Sequence, residues 1–228
     1  TVNADKITFA GNRIVEADGI ATGAGNDQIT LSKSTTKGMV RIAGVIDTGT
    51  GNDMLTVNAN TELVCTTLDF GTGNDTFQLA AGADFSNTEA EAQPLTILFG
   101  EGDDKFLIGS GAGVHLYGTE HLLDFGDGDD SMTVAKNSPV NWINDESLPE
   151  NELSRITFGD GDDSLTIDKG GFLNVNELDF GSGSDSLVLN GTLQITRGSV
   201  AGLETVSGSG QLLLAGLGPV DAEDYRIF

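Results

Sequence analysis

Apolar residues along this chain fall in pairs two positions apart, and the pairs recur with a period near 22 residues. Counted onward from Asp53 they are Leu55 and Val57, Leu63 and Cys65, Leu68 and Phe70. From Asp163 they are Leu165 and Ile167, Leu173 and Val175, Leu178 and Phe180. Such alternation marks a short strand with one face turned inward, and helical spacing is absent nearly everywhere. Three short strands joined by turns in 22 residues predict one coil of a solenoid. The expected fold is an all-β, single-stranded parallel β-helix of about eight coils, right-handed by the usual preference of crossover connections.

The units are punctuated by a glycine turn that ends in Asp. It is clearest at Phe158-Gly159-Asp160-Gly161-Asp162-Asp163 and recurs so that the closing Asp stands at 27, 53, 75, 104, 130, 163 and 185. The intervals between these positions are 26, 22, 29, 26, 33 and 22, which makes 22 the basal unit and the longer units carriers of insertions. Asp5-Lys6-Ile7-Thr8-Phe9 reads as an earlier copy. Leu203 to Leu214 reads as a degenerate later one, aligned on Leu178 to Leu189 with Gly210 in place of the Asp. Residues 1–214 therefore form the predicted solenoid, and 215–228, where the repeat is lost, a C-terminal cap or linker. Stacking of coils about 4.8 Å apart would place Phe70, Phe99, Phe125, Phe158 and Phe180 in one internal column, flanked by Thr22 and Thr48.

A formal charge of −24, from 11 basic and 35 acidic residues, argues against nucleic acid and anionic membrane surfaces as partners. With 38% hydrophobic residues the chain can still bury a core. Cys65, the single cysteine, stands at an inward offset and reads as a buried inert thiol. A fold without disulfides needs another staple, and a metal is one.

The turn suggests which metal. Glycine stands four and two positions before the closing Asp in every good copy, which implies positive φ or close backbone approach. Such turns aim carbonyls and carboxylates at common points, an arrangement suited to Ca²⁺ with its six to eight oxygen ligands. The turns closing at 27, 53, 75 and 185 carry one acid each. Three turns carry three: Glu101, Asp103 and Asp104; Asp127, Asp129 and Asp130; Asp160, Asp162 and Asp163. Two like charges about 5 Å apart in water repel by roughly 0.8 kcal/mol. Six such contacts across two coil interfaces approach about 5 kcal/mol, comparable to the whole stability of a small domain. These nine acids are the candidate Ca²⁺ ligands. The bland alternative, that Asn and Asp are simply good turn residues, suits the Asn26, Asn52 and Asn74 coils, which could form a neutral amide ladder.

Phe158 to Thr166 also resembles the calcium-binding nonapeptide of repeats-in-toxin proteins, G-G-x-G-x-D-x-U-x, in all but the first glycine. The resemblance implies Ca²⁺ held between adjacent turns by the Asp at 27, 53, 75, 104, 130, 163 and 185 together with turn carbonyls. Family repeats run in tandem every nine residues, whereas one copy occurs here per coil. That spacing resembles the wider β-helix of secreted adhesins and autotransporter passengers.

The function expected from this pattern is a non-enzymatic structural or adhesive segment of a secreted or cell-surface bacterial protein. It would be extracellular, and a monomer or part of a longer chain. No membrane insertion is expected, since no apolar run reaches the length of a span. No signal peptide opens the chain, so an exported protein would be a mature fragment. The alternative is a β-helical carbohydrate-active enzyme, a Ca²⁺-assisted polysaccharide lyase or a glycosidase using two carboxylates. No nucleophile–base pair stands out, and His115 and His121 read as surface or packing residues. Lys105 and Arg155 are the only basic residues near the acid-rich turns. An ice-binding solenoid is disfavoured because no regular Thr-x-Thr face appears. The insertions 80–93 and 135–150, read as lying between first and second strands, define the candidate recognition edge for a protein or glycan ligand, with Trp142 upon it; the bland reading of Trp142 is that its ring folds back over the solenoid to cover it.

Overall fold

The computed structural model describes residues 3–10, 15–32, 38–87, 93–142 and 153–215. The alternating pairs become strands of three all-parallel sheets, in which each strand bonds its equivalent one coil away. The A sheet runs through nine strands from Lys6–Ala10 to Thr205–Ser207. The B sheet runs through nine from Val15–Ala17 to Gln211–Ala215, and the C sheet through eight from Ile20–Ala21 to Val200–Ala201. The chain passes A, B, C in each coil and returns to A through the glycine turn. This is the expected parallel β-helix.

One face of the strands between the terminal coils is buried, because period-two alternation in a closed coil leaves one side dry, whereas Lys6–Ala10 and Thr205–Ser207 at the two ends of the A sheet bury none of their residues. Along the A sheet, Leu55, Phe77, Phe106, Met132, Leu165 and Leu187 stand in one pairing register. The predicted phenylalanine column is present. Its rings, from Phe70 through Phe99, Phe125 and Phe158 to Phe180, stack at centroid distances of 4.7, 4.8, 4.7 and 4.9 Å, tilted by no more than 6°. The column ends in threonines instead of aromatics. Thr48 donates its hydroxyl to the Phe70 carbonyl, and Thr22 to that of Thr48, each at 3.0 Å. Phe77 and Phe106 form a second stack at 4.7 Å that the offsets did not single out. Cys65 is fully buried, and burial pushes its thiol far above the ordinary range.

Three expectations are corrected. First, the segments 80–93 and 135–150 do not project between first and second strands. Asp84–Ser86 and Pro139–Asn141 are regular B-sheet strands, so the extra length follows them, between B and C strands. Each carries a single apolar residue, Phe85 or Val140, too few to register as an alternating pair. Second, Trp142 is not displayed on the recognition edge: it is turned away from solvent, as its bland reading has it, and lies wholly within the core. Residues 88–92 and 143–152 lie outside the described residues. Third, the last coil is in another register than the local letters suggested. Thr205 pairs with Ser186 and Leu212 with Leu193, so Glu204, and not Gly210, takes the place of Asp185. Apart from Ala215, which ends the last B strand, the predicted cap or linker lies outside the described residues.

Phe125 sits between two stacked rings with no solvent contact. Phe125→Ala should lower the unfolding free energy by about 3–5 kcal/mol through loss of buried area and creation of a cavity, as read from urea denaturation followed by far-ultraviolet circular dichroism.

Candidate cation site at the acidic corner

The corner between the C and A sheets is built from glycine for a steric reason. At Gly126, φ is +95° and a Cβ would lie 1.8 Å from the Gly100 carbonyl oxygen of the preceding coil. A Cβ at Gly128, with φ +141°, would lie 2.2 Å from the Gly102 oxygen. Successive corners therefore touch backbone to backbone, and the side chains they carry are forced into columns.

The nine candidate ligands divide among three such columns. Glu101, Asp127 and Asp160 are exposed and stack through parallel pairing of their backbones. Asp103, Asp129 and Asp162, also exposed, each accept an N–H from the following coil. The donors are Asp129 at 3.1 Å, Asp162 at 2.9 Å and Ser184 at 2.9 Å. Asn26 and Asn52 do the same for Asn52 and Asn74 at 3.0 and 3.1 Å, so this column is indifferent to charge. The Asn74 amide also donates to Asp103 at 3.2 Å.

The third column behaves differently. The closing Asp at 27, 53, 75, 104, 130, 163 and 185 is buried in every coil, at 2% exposure or less. Its Oδ1 accepts the backbone N–H of the equivalent residue in the preceding coil. Asp5 donates to Asp27, Asp27 to Asp53, Asp53 to Asp75 and Asp75 to Asp104, at 2.6 or 2.7 Å. Asp104 donates to Asp130, Asp130 to Asp163 and Asp163 to Asp185, at 2.7 or 2.8 Å. Asp185 closes the series on a Glu204 carboxylate oxygen at 2.7 Å. The other oxygen, Oδ2, is buried without a partner in all seven.

A buried carboxylate with one dry oxygen resists ionisation. Burial, reinforced by neighbouring carboxylates and opposed by the bonded N–H, raises Asp75 and Asp130 to about 8, Asp104 to about 7 and Asp163 to about 6. Asp53 and Asp185 are raised for the same first reason.

The sequence carries a signal that sets this column apart from its neighbour. The position before it tolerates Asn, Asp and Ser, whereas the closing position is Asp in all seven good copies. Asn would supply the same accepting oxygen, so strict Asp marks a use for the second oxygen.

No three His, Cys, Asp or Glu side chains converge on one point among the described residues. A cation here would therefore draw on paired carboxylates plus carbonyl or water oxygens, not on a closed side-chain cage. The donor set is all oxygen, which suits a hard cation. The two basic residues near these turns lie apart from the column. Lys105 is exposed on the A sheet, and Arg155 pairs with Glu177 across the C sheet. His115 is exposed. His121 is buried, and burial lowers it to about 4.

No protein family, no curated protein and no solved structure matches the chain in comparison with known proteins.

The raised carboxyls keep their protons in the folded chain over a pH range where the unfolded chain has released them, above about 4. Their contribution to stability is full below that value and is lost as pH rises through the folded values. In a chelating buffer the melting temperature should fall as pH climbs from about 5 to about 9. Asp130→Asn keeps the accepting oxygen and removes the charge. It should raise the melting temperature at the alkaline end and change it little at the acid end, in a scan followed by circular dichroism.

Proposed function

We propose that this chain is a non-enzymatic structural or adhesive segment of a secreted or cell-surface bacterial protein, a rigid solenoid whose coils are clamped by Ca²⁺ along one acidic corner. The observation that carries this reading is the dry, unpartnered oxygen of Asp104, Asp130 and Asp163, lying inside a corner that also carries Glu101, Asp103, Asp127, Asp129, Asp160 and Asp162. An ionised oxygen without a partner in the interior is costly. A proton or a cation must meet that cost, and stacked exposed acids outside it draw cations rather than a proton alone. Four turns, those at Asp27, Asp53, Asp75 and Asp185, carry no second acid at the flanking column and would hold Ca²⁺ more weakly.

The side-chain chemistry of this corner is spent on joining coils, as suits a scaffold. An extracellular setting supplies calcium at the level such modules use, about 0.1–1 mM. Each bound ion would add to stability only through the folded state.

Millimolar CaCl₂ should raise the melting temperature of the protein at neutral pH, with Mg²⁺ a poor substitute because it demands a tighter octahedron and keeps its waters. The double change Asp129→Asn and Asp130→Asn should abolish the calcium-dependent rise. A double variant that is equally more stable with and without calcium, together with no heat of binding for the parent in titration calorimetry, would leave the corner a plain structural one.

A further inference from the structure

The acids of this chain are not spread evenly over its three faces. The C sheet turns Asp47, Asp69, Asp124 and Asp179 outward in one register, and the B sheet turns out Glu16, Glu62 and Asp84. The A sheet bears no Asp or Glu at any outward position, although its nine strands each begin directly after the acidic corner. Its outward charges are two lysines, Lys6 and Lys105. Hydroxyls dominate the rest.

These hydroxyls are ordered in two ways. Ser131, Ser164 and Ser186 each donate to the carbonyl of the closing Asp one coil back, at 3.4 Å, which leaves each hydroxyl oxygen its capacity to accept. The next outward column contains Thr8, Thr30, Thr56, Thr133 and Thr166, half-exposed or exposed, and none of these hydroxyls has a hydrogen-bond partner among the described residues. Gln78, Leu107 and Val188 interrupt it, so the array is not the unbroken one an ice lattice would need.

We propose that this outward A-sheet face binds an uncharged, extended polysaccharide running along the solenoid axis. Parallel in-register strands repeat the same donor and acceptor about every 4.8 Å, which fits a linear ligand with its own short repeat. A neutral chain is selected by charge. An anionic polymer would be repelled by the acidic corner beside the face, and a cationic one would prefer that corner. Leu107 and Val188, half-buried among the hydroxyls, offer flat apolar contact to sugar rings. A second copy of the chain fits less well. Nine strands at that spacing and about 13 Å of strand length make a face of about 500 Å², short of the roughly 800 Å² per partner in a stable interface. The inference is independent of calcium at the corner.

Native affinity electrophoresis of the whole chain in gels containing hydroxyethylcellulose, dextran or mannan tests it, with and without EDTA. At least one of these neutral polymers should retard the protein. Thr133→Glu should weaken that retardation at least tenfold in polymer concentration. The double change Thr133→Val and Thr166→Val, which adds no charge, should weaken it at least threefold. Thr67→Glu, placed on the C sheet, should leave it unchanged, and circular dichroism would show all variants folded. Absence of retardation in all three polymers would overturn the proposal, as would retardation indifferent to the A-sheet changes. So would retardation confined to an anionic polymer such as alginate, or light scattering that shows a dimer lost in Thr133→Glu.

Discussion

Everything in this solenoid depends on how closely one corner can be laid on the next. Glycine lets the backbone of one coil meet the carbonyl of its neighbour, as at Gly126 against Gly100, and a residue with a Cβ has no room there. Close contact fixes the register of all three sheets, but it also buries the N–H of the closing Asp, the residue just before each A strand. That donor must find an acceptor inside the protein. The closing Asp supplies it from the following coil, and in doing so carries a second oxygen into the interior. The acidity of the corner is thus tied to the same contact that makes the stack rigid.

The corner is bonded in both directions. Inner carboxylates accept from the coil before them, whereas the outer column of Asn26, Asn52, Asp103, Asp129 and Asp162 accepts from the coil after. Sliding one coil past another would break both sets. The same device appears at the corner between B and C sheets with different chemistry. Leu95 donates to His121 Nδ1, His121 to the Ser154 hydroxyl and Ser154 to Asn176 Oδ1. Imidazole, hydroxyl and amide serve there because any buried acceptor of the right reach will do. Against that latitude, the strict use of Asp at the glycine corner requires a reason beyond capping.

What the sequence disclosed follows from periodicity. A buried face with period two shows in any strand carrying two apolar residues, so the coil and the Phe70-to-Phe180 column could be read directly. Strands carrying one, such as Asp84–Ser86 and Pro139–Asn141, leave no such mark, so the letters alone put the insertions one corner early. The last coil misled for a related reason. Its letters Gly208-Ser209-Gly210 imitate the glycine corner, yet Gly208 serves between the A and B strands, and backbone pairing puts Glu204 in the Asp column. At the acidic corner the acids were visible but their depths were not. Asp103 and Asp104 are adjacent in sequence; one faces solvent and the other is sealed. The B-to-C corner ladder left no trace, since His121, Ser154 and Asn176 share a position but no letter.

Because backbone bonds and inward columns hold most of the stack, the outward positions are less constrained by it. Their composition then reports what surrounds the protein. At −24 the chain could spread its carboxylates over every face and lower their mutual repulsion. Instead they crowd the glycine corner and the C sheet, where burial and proximity already raise Asp69, beside Asp47, while the adjoining A sheet goes without any. Concentrating like charge in this way works against stability unless each side meets a different environment. Cations along the acidic side and a neutral surface along the hydroxyl side would satisfy both halves of that division.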